Sequence, residues 1–243
     1  MAGGKRKRKA GKKKPIRIRI GKIFLDILIC FLALTMIPVL VYRVIQPPTT
    51  ALMWIRGMED GGGAKDIPRT VRRWKPLNEI SPSLLKAVIA AEDQKFFRHN
   101  GFDWQAIESA VKTNLTTDRT VGASTISMQT ARNVFLWQGR NWLRKSLEAY
   151  FTFLIEVFWS KERILEIYLN VIEWGDGIFG CEAASRTYFN RSAGSLSPVE
   201  SAWMAAILPN PRVWSIKSPQ KFVEDRQLQI LNVMARTRLP RSG

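Results

Sequence analysis

The sequence has few of the residues that build metal sites and disulfide frameworks. It contains one histidine and two cysteines among 243 residues. Cys30 lies in an apolar segment near the N-terminus and Cys181 lies far along the chain, so no internal disulfide is expected. A structural zinc site needs four Cys or His ligands at short spacings. The sequence therefore predicts neither a dedicated metal site nor a disulfide-stapled fold.

Acidic residues are absent from the first 22 positions, which carry eleven Lys or Arg residues. The formal net charge of the whole chain is +18, so residues 23–243 are left with only +7. A basic tail can bind nucleic acid, bind anionic lipid or fix the orientation of a membrane segment. No nucleic-acid-binding motif accompanies this tail. The segment that follows it decides between the other two readings.

Residues 23–42 form an apolar run in which Asp26 is the only charged residue. Twenty helical residues rise about 30 Å, roughly the thickness of a bilayer's hydrocarbon core. We therefore predict a transmembrane anchor over 23–45, preceded by a cytoplasmic basic tail over 1–22. A cleaved signal peptide is the alternative, which the length of the run and the lack of an A-x-A site disfavour.

The rest of the chain lacks alternating strand patterns and internal repeats, which predicts an all-α domain. Pro47 and Pro48 break any helix that continues from the membrane, so 46–75 is interpreted as a connector and 76–243 as the domain. Capping residues mark the helix starts. The predicted caps and helices are Ser81 before Pro82, Asp103 for a helix to about Leu115, Ser124 or Thr125, a helix from Asn141 to Trp159, Ser160, Ser197 with Glu200, and Ser218 with Pro219 for a last helix to about Arg236.

The first candidate for chemistry is the segment 87–103, in which an apolar helix runs into Glu92 and Asp93. A carboxylate at the end of an apolar segment is partly desolvated, which suits general acid or base work. The alternative is a pair of solvated acids at a helix end, close to Lys95 and Arg98.

The second candidate is the segment 122–133, which reads GASTISMQTARN. Ser124 and Thr125 place hydroxyls at a helix N-terminus, where free N–H groups and the helix dipole favour an anion. Gln129 and Arg132 follow at helical spacing. An ordinary capped helix is the alternative explanation.

A third segment places Arg144 and Lys145 one helical turn before Glu148. The three side chains share one side of a helix, so a carboxylate flanked by two cations could help to hold a diphosphate. Surface ion pairs are the alternative. In a fourth segment, KERILEIYLN, Lys161 and Asn170 are the polar candidates.

Taken in order, these motifs resemble glycosyltransferase family 51, the lysozyme-like peptidoglycan polymerase domain. The matching elements are Glu92-Asp93 with His99 and Gly101, G-x-S-T-I at 122–126 with Gln129, R-K-x-x-E at 144–148, and K-x-x-I-L-E-x-Y-L-N at 161–170. Residues 174–189 and 204–211 also look like that family. The resemblance covers roughly 76–236 and is closest to monofunctional members, because no transpeptidase motif set accompanies it.

The resemblance implies a reaction in which lipid II is polymerised into β-1,4-linked glycan strands, with inversion at the anomeric carbon and release of undecaprenyl diphosphate. It implies that Glu92 is the general base and Glu148 the second catalytic acid. It also implies a set of substrate-binding residues. These are Asp93, His99, Ser124, Thr125, Gln129, Arg132, Arg144, Lys145, Lys161 and Asn170.

The resemblance further implies a protein of the bacterial cytoplasmic membrane whose domain lies on the periplasmic face. Its partners would be lipid II, the growing glycan strand, membrane lipids and wall-synthesis or division proteins. No dedicated cofactor is expected, although relatives use magnesium or manganese at the substrate diphosphate. Two alternatives remain, namely a hydrolase or lytic enzyme of the lysozyme-like class and a non-catalytic scaffold.

One position departs from the family pattern. Members usually carry two consecutive glutamines after S-T-I, whereas Met128 occupies the first position here and only Gln129 remains. Methionine is unbranched and about as long as glutamine, so packing can survive. Any hydrogen bond from the missing amide is lost, at a cost of about 1 kcal/mol. Arg132 replaces the commoner lysine and retains its charge.

Overall fold

The computed structural model describes residues 16–60, 71–117, 121–139 and 141–240. Within these ranges the chain forms ten α-helices and three short strands, which confirms the predicted all-α class. The helices are α1 (Ile16–Tyr42), α2 (Ala51–Asp60), α3 (Pro82–Glu92), α4 (Trp104–Thr116), α5 (Ile126–Phe135), α6 (Trp142–Phe158), α7 (Lys161–Val171), α8 (Cys181–Phe189), α9 (Pro198–Ile207) and α10 (Lys221–Met234). The strands are β1 (Val71–Arg72), β2 (Glu173–Gly175) and β3 (Ile178–Phe179).

Helix α1 contains the predicted apolar segment. Its stretch Gly21–Tyr42 is 22 residues long and apolar enough to cross a membrane. The helix ends at Tyr42, three residues before the predicted end of the anchor. Residues 1–15 of the predicted basic tail lie outside the described residues. A single-pass membrane anchor is compatible with this helix.

The C-terminal half of α1 packs directly on the helical domain. The hydroxyl groups of Thr35 and Tyr150 lie 2.9 Å apart, which joins α1 to α6. At the end of α6, the indole N–H of Trp159 donates to the Val39 carbonyl at 2.7 Å. Val39 is fully buried. The predicted anchor is therefore part of the same packed structure as the domain that follows it.

The predicted connector is more structured than its proline content indicates. Helix α2 buries Leu52 and Met53, and its Arg56 donates to Glu173 on β2 at 3.1 Å. Strand β1 pairs in parallel with β3, and β3 pairs antiparallel with β2. These contacts tie both described parts of 46–75 to the domain, while 61–70 lie outside the described residues.

Most of the predicted helix starts are confirmed by side-chain caps. Ser81, Asp103, Asn141 and Ser160 each accept a backbone N–H of the following turn, and Ser197 forms a capping box with its third neighbour. The predicted start of the last helix is wrong. Helix α10 begins at Lys221 rather than at Pro219, because the N–H groups of Val223 and Glu224 close the first turn on the Gln220 carbonyl.

Helix α7 is the centre of the domain. Seven of its eleven residues are buried, and α7 contacts α5, α6 and α8. A helix that is buried on nearly all sides belongs to a core rather than to a surface. The helices α3, α9 and α10 pack against one another beside it. This arrangement brings the end of α3 and the start of α5 to a common surface.

Candidate functional site

A cleft of about 310 Å³ lies where the end of α3 meets the start of α5. Its walls come from residues 90–95, from Asp103 and Ala106 at the start of α4, and from residues 122–125. The structure therefore brings together two segments that lie about thirty positions apart in the sequence. Four of the predicted site residues line the cleft, namely Glu92, Asp93, Ser124 and Thr125.

Glu92 is the last residue of α3, and its side chain is 12% exposed. Each carboxylate oxygen has a protein donor. The Gln129 amide donates to Oε2 at 2.9 Å, and the Arg226 guanidinium donates to Oε1 at 3.2 Å. The two donors hold the carboxylate in one orientation. A mostly buried, oriented carboxylate on a cleft wall can accept a proton from a bound hydroxyl group.

Arg226 was not predicted from the sequence. It lies on α10, 134 positions from Glu92, and it also donates to the Ala91 carbonyl at 3.4 Å. The packing of α10 on α3 creates this contact. Arg226 shares no local motif with Glu92, so the sequence carried no signal for the pair.

Asp93 and His99 form an internal anchor beside the cleft. The Asp93 carboxylate accepts from the Ile126 N–H at 3.1 Å and lies 2.9 Å from His99 Nε2. His99 Nδ1 accepts from the Gly101 N–H at 3.1 Å, so the proton of a neutral imidazole belongs on Nε2. His99 therefore donates to Asp93, and this pair ties the end of α3 to the start of α5. Their predicted contact with substrate stays a prediction.

Gly101 is required by this arrangement for two reasons. Its φ is +88°, and an added Cβ would lie 2.9 Å from Thr152 Cγ2 and 3.0 Å from Glu156 Cγ. Its carbonyl accepts from the Thr125 hydroxyl at 2.6 Å. We expect Gly101→Ala to lower the free energy of unfolding by about 1–3 kcal/mol, measured by chemical denaturation.

Gly57 is the control for that substitution. It lies in helix α2 with no atom within 4 Å of an added Cβ. Gly57→Ala should raise stability by up to about 1 kcal/mol, since alanine favours a helix over glycine. An unchanged midpoint of chemical denaturation for Gly101→Ala would show that the loop accommodates a side chain at this φ.

The hydroxyls predicted at the start of α5 have different environments. Thr125 is the N-cap, and its Oγ1 accepts from the Met128 N–H at 3.2 Å while donating to Gly101. Ser124 is only half-buried on the cleft wall. Among the described residues, Ser124 is thus the hydroxyl at this end of α5 that is more accessible to a ligand.

Met128, which departs from the family pattern, is 5% exposed, so its side chain is buried in the protein.

A second polar cluster lies on α6, which packs against α5. Glu148 is 1% exposed and accepts from the Arg144 guanidinium at 2.5 Å and from the Lys145 ammonium group. The predicted grouping of these three side chains is confirmed, but none of them lines the cleft around Glu92. Two cations share one carboxylate, so the cluster retains one positive charge for an anionic ligand.

Three guanidinium groups near these clusters have unused donors. The Nε atoms of Arg132 on α5, Arg144 on α6 and Arg226 on α10 are buried, and none of them has a hydrogen-bond partner among the described residues. A buried donor without a partner costs free energy unless water or a ligand satisfies it. Arg132 and Arg144 therefore have the donors and the charge to bind an anion.

Lys161 and Asn170 serve the protein interior in this structure. The Lys161 ammonium group lies 2.7 Å from Glu156 and 4.6 Å from the Phe96 ring centroid. Asn170 is fully buried, and its amide donates to the carbonyls of Lys75 and Glu166, both at 2.8 Å. Neither residue lines the cleft. Their predicted binding of substrate stays a prediction, and for Asn170 it would require the buried amide to be released.

Comparison with known proteins agrees with the arrangement of these motifs. The family model described as transglycosylase matches residues 62–235. A biosynthetic peptidoglycan transglycosylase of Bdellovibrio bacteriovorus is 54% identical over 197 residues, which cover 81% of this chain and 78% of the relative. Proteins of the same description from Caulobacter vibrioides and Pseudomonas fluorescens are 46% and 51% identical, covering 88% and 84% of this chain and 91% and 84% of the relatives. The chain therefore belongs to the transglycosylase family and is a peptidoglycan glycosyltransferase.

Proposed function

We propose that the chain polymerises lipid II into β-1,4-linked glycan strands. In this reaction Glu92 takes the proton of the acceptor sugar's 4-hydroxyl group. The acceptor oxygen forms a bond to the anomeric carbon at the reducing end of the growing strand. The bond from that carbon to the diphosphate breaks, so undecaprenyl diphosphate leaves and the anomeric configuration inverts. The observation that carries the proposal is the Glu92 carboxylate, oriented at both oxygens on the cleft wall.

The cluster on α6 supports the second half of the reaction. A departing diphosphate is an anion, and preorganised cations stabilise it. Arg144 and Lys145 supply the charge, and Glu148 holds both side chains in place. The unsatisfied Nε atoms of Arg132 and Arg144 provide further donors. In this proposal Glu148 acts by positioning the two cations.

The proposal gives the protein no resident metal. Among the residues that the structure describes, no three His, Cys, Asp or Glu side chains are grouped to hold an ion. Glu148 is already neutralised by two cations, so it does not fit a further positive charge. Magnesium or manganese would instead accompany the substrate diphosphate.

The apolar surface beside α1 supports a location at the membrane. Trp142 is 88% exposed and Leu143 66% exposed on α6, and Phe153 and Val157 continue the same exposed side. We propose that this side faces the outer leaflet of the bacterial cytoplasmic membrane, with residues 1–22 in the cytoplasm. A lipid-linked substrate would then reach the protein without leaving the bilayer. Membrane lipids and wall-synthesis or division proteins are proposed partners on the same grounds.

Product analysis tests the proposed reaction. Purified protein in detergent is incubated with labelled lipid II, and a parallel sample contains mature glycan strands. The proposal predicts long strands from lipid II and no cutting of the mature strands. Cleavage of the mature strands without polymerisation would establish the hydrolase alternative. If the purified protein consumes neither lipid II nor mature strands, and the same protein still complements in cells, the scaffold alternative would be established.

A further inference from the structure

Tyr168 has a polar group that the proposed reaction does not yet use. It lies on the central helix α7 and is 1% exposed. Its hydroxyl donates to the Gln129 side-chain oxygen at 3.2 Å, across 39 positions of sequence. Among the described residues, the Gln129 side-chain oxygen is thus the acceptor for the buried Tyr168 hydroxyl. Gln129 in turn donates its amide N–H to Glu92.

Burial keeps Tyr168 in its protonated, donating form. Loss of solvation raises the pKa of the Tyr168 hydroxyl well above its usual value, and the nearby Glu92 charge raises it further. A hydroxyl that remains protonated acts as a hydrogen-bond donor throughout the pH range in which the protein works. The Gln129 oxygen therefore has a permanent donor opposite it.

That donor fixes the orientation of the Gln129 amide. With its oxygen turned to Tyr168, the amide presents Nε2 to Glu92 Oε2 at 2.9 Å. A flipped amide would place an oxygen against the carboxylate and an N–H₂ group against the hydroxyl. The contact with the carboxylate would then join two acceptors, and the hydroxyl proton of Tyr168 would lose the acceptor it has here, so the flipped state is disfavoured.

We infer that Tyr168 is a positioning residue that aligns the Glu92 carboxylate through Gln129. The inference rests on the proposed function, in which Glu92 is the base. It has particular weight in this chain because Met128 replaces the neighbouring glutamine, which leaves one side-chain amide at this pair of positions. Arg226 holds the other oxygen of Glu92 independently, from α10.

A double-mutant cycle on the full-length protein tests this inference. Tyr168→Phe removes only the hydroxyl, so kcat for lipid II polymerisation should fall about tenfold with KM unchanged within about twofold. We call the hydrogen bonds from Tyr168 through Gln129 to Glu92 the relay. In a Gln129→Leu background the relay is already broken, so the same change should have no further effect on kcat. A purely structural role for Tyr168 would lower kcat by the same factor in both backgrounds, which would overturn the inference.

Tyr188 supplies the matched control. Its hydroxyl donates to the Trp174 carbonyl at 2.9 Å, and it does not line the cleft or contact Glu92. Tyr188→Phe should leave kcat unchanged in both backgrounds. Equal effects of the Tyr168 and Tyr188 changes would contradict the relay.

Thermal unfolding separates the relay from the proposed function. Gln129→Leu leaves the Tyr168 hydroxyl buried without an acceptor, so the melting temperature should fall, and adding Tyr168→Phe should recover part of that loss. No recovery would overturn the Tyr168–Gln129 contact whether or not lipid II is the substrate. An inactive wild-type protein would refute the proposed function and with it the catalytic role of the relay. An active wild type with additive losses would refute the inference alone.

Discussion

Glu92→Gln should lower the rate of lipid II polymerisation by about 10²–10⁴-fold, because the variant retains the shape of the side chain and cannot accept a proton. The amide can still fill the end of α3 on the cleft wall, so the fold should persist. The measurement is the initial rate of strand formation by purified wild type and variant at equal concentration. Thermal unfolding of both proteins establishes that the comparison is between folded molecules.

Glu79→Gln is the matched control for the Glu92 change. Glu79 is an exposed carboxylate that forms an ion pair with Lys75, and it does not line the cleft. Its replacement should leave the rate of polymerisation unchanged. Retention of more than about a tenth of the wild-type rate by Glu92→Gln would contradict the assignment of the base, since general base catalysis contributes at least about 10²-fold.

Glu148→Gln should lower both stability and activity. Glu148 and Arg144 are 1% and 8% exposed, so the change leaves a buried guanidinium without its counter-charge. Removing one partner of a buried ion pair lowers the free energy of unfolding by about 3–5 kcal/mol. Because Lys145 in this cluster is partly exposed, we expect a loss near the lower end of that range, about 3 kcal/mol. Chemical denaturation measures the loss. Polymerisation should fall as well, because both cations lose the carboxylate that positions them.

Two comparisons separate the stability of this cluster from its function. In Glu148→Gln/Arg144→Gln the unpaired buried charge is gone, so part of the stability should return while polymerisation stays low. Lys221 and Asp225 form an ion pair with the same four-residue spacing on the surface of α10. Asp225→Asn should change stability by less than about 1 kcal/mol, as expected of exposed pairs. Recovery of activity in the double variant would contradict a role for Arg144 at the diphosphate.

Local sequence signals predicted the helices and the polar motifs well. Caps such as Asp103, Ser160 and Ser197 act within one helical turn, so they are visible in a short stretch of sequence. The grouping of Glu148 with its two cations was predictable for the same reason, because residues three and four apart share a helix face. The structure confirms each of these local arrangements.

Contacts across the fold were not predictable in this way. Arg226 reaches Glu92 from α10, and Tyr168 reaches Gln129 from α7, through packing that no local pattern encodes. The burial of Asn170 has the same origin, since its side-chain amide pairs with the backbone of Lys75, 95 positions away. The small sheet was also missed, because strands of two or three residues are too short to produce an alternating pattern.

The structure of the Glu92→Gln variant bound to lipid II tests the central claim most directly, because it shows which carboxylate position faces the acceptor hydroxyl. The account predicts the acceptor 4-hydroxyl within about 3.2 Å of the residue 92 side chain. It also predicts the donor diphosphate against Arg144 and Lys145. An acceptor hydroxyl bound instead at Glu148, with no ligand in the cleft beside residue 92, would contradict it.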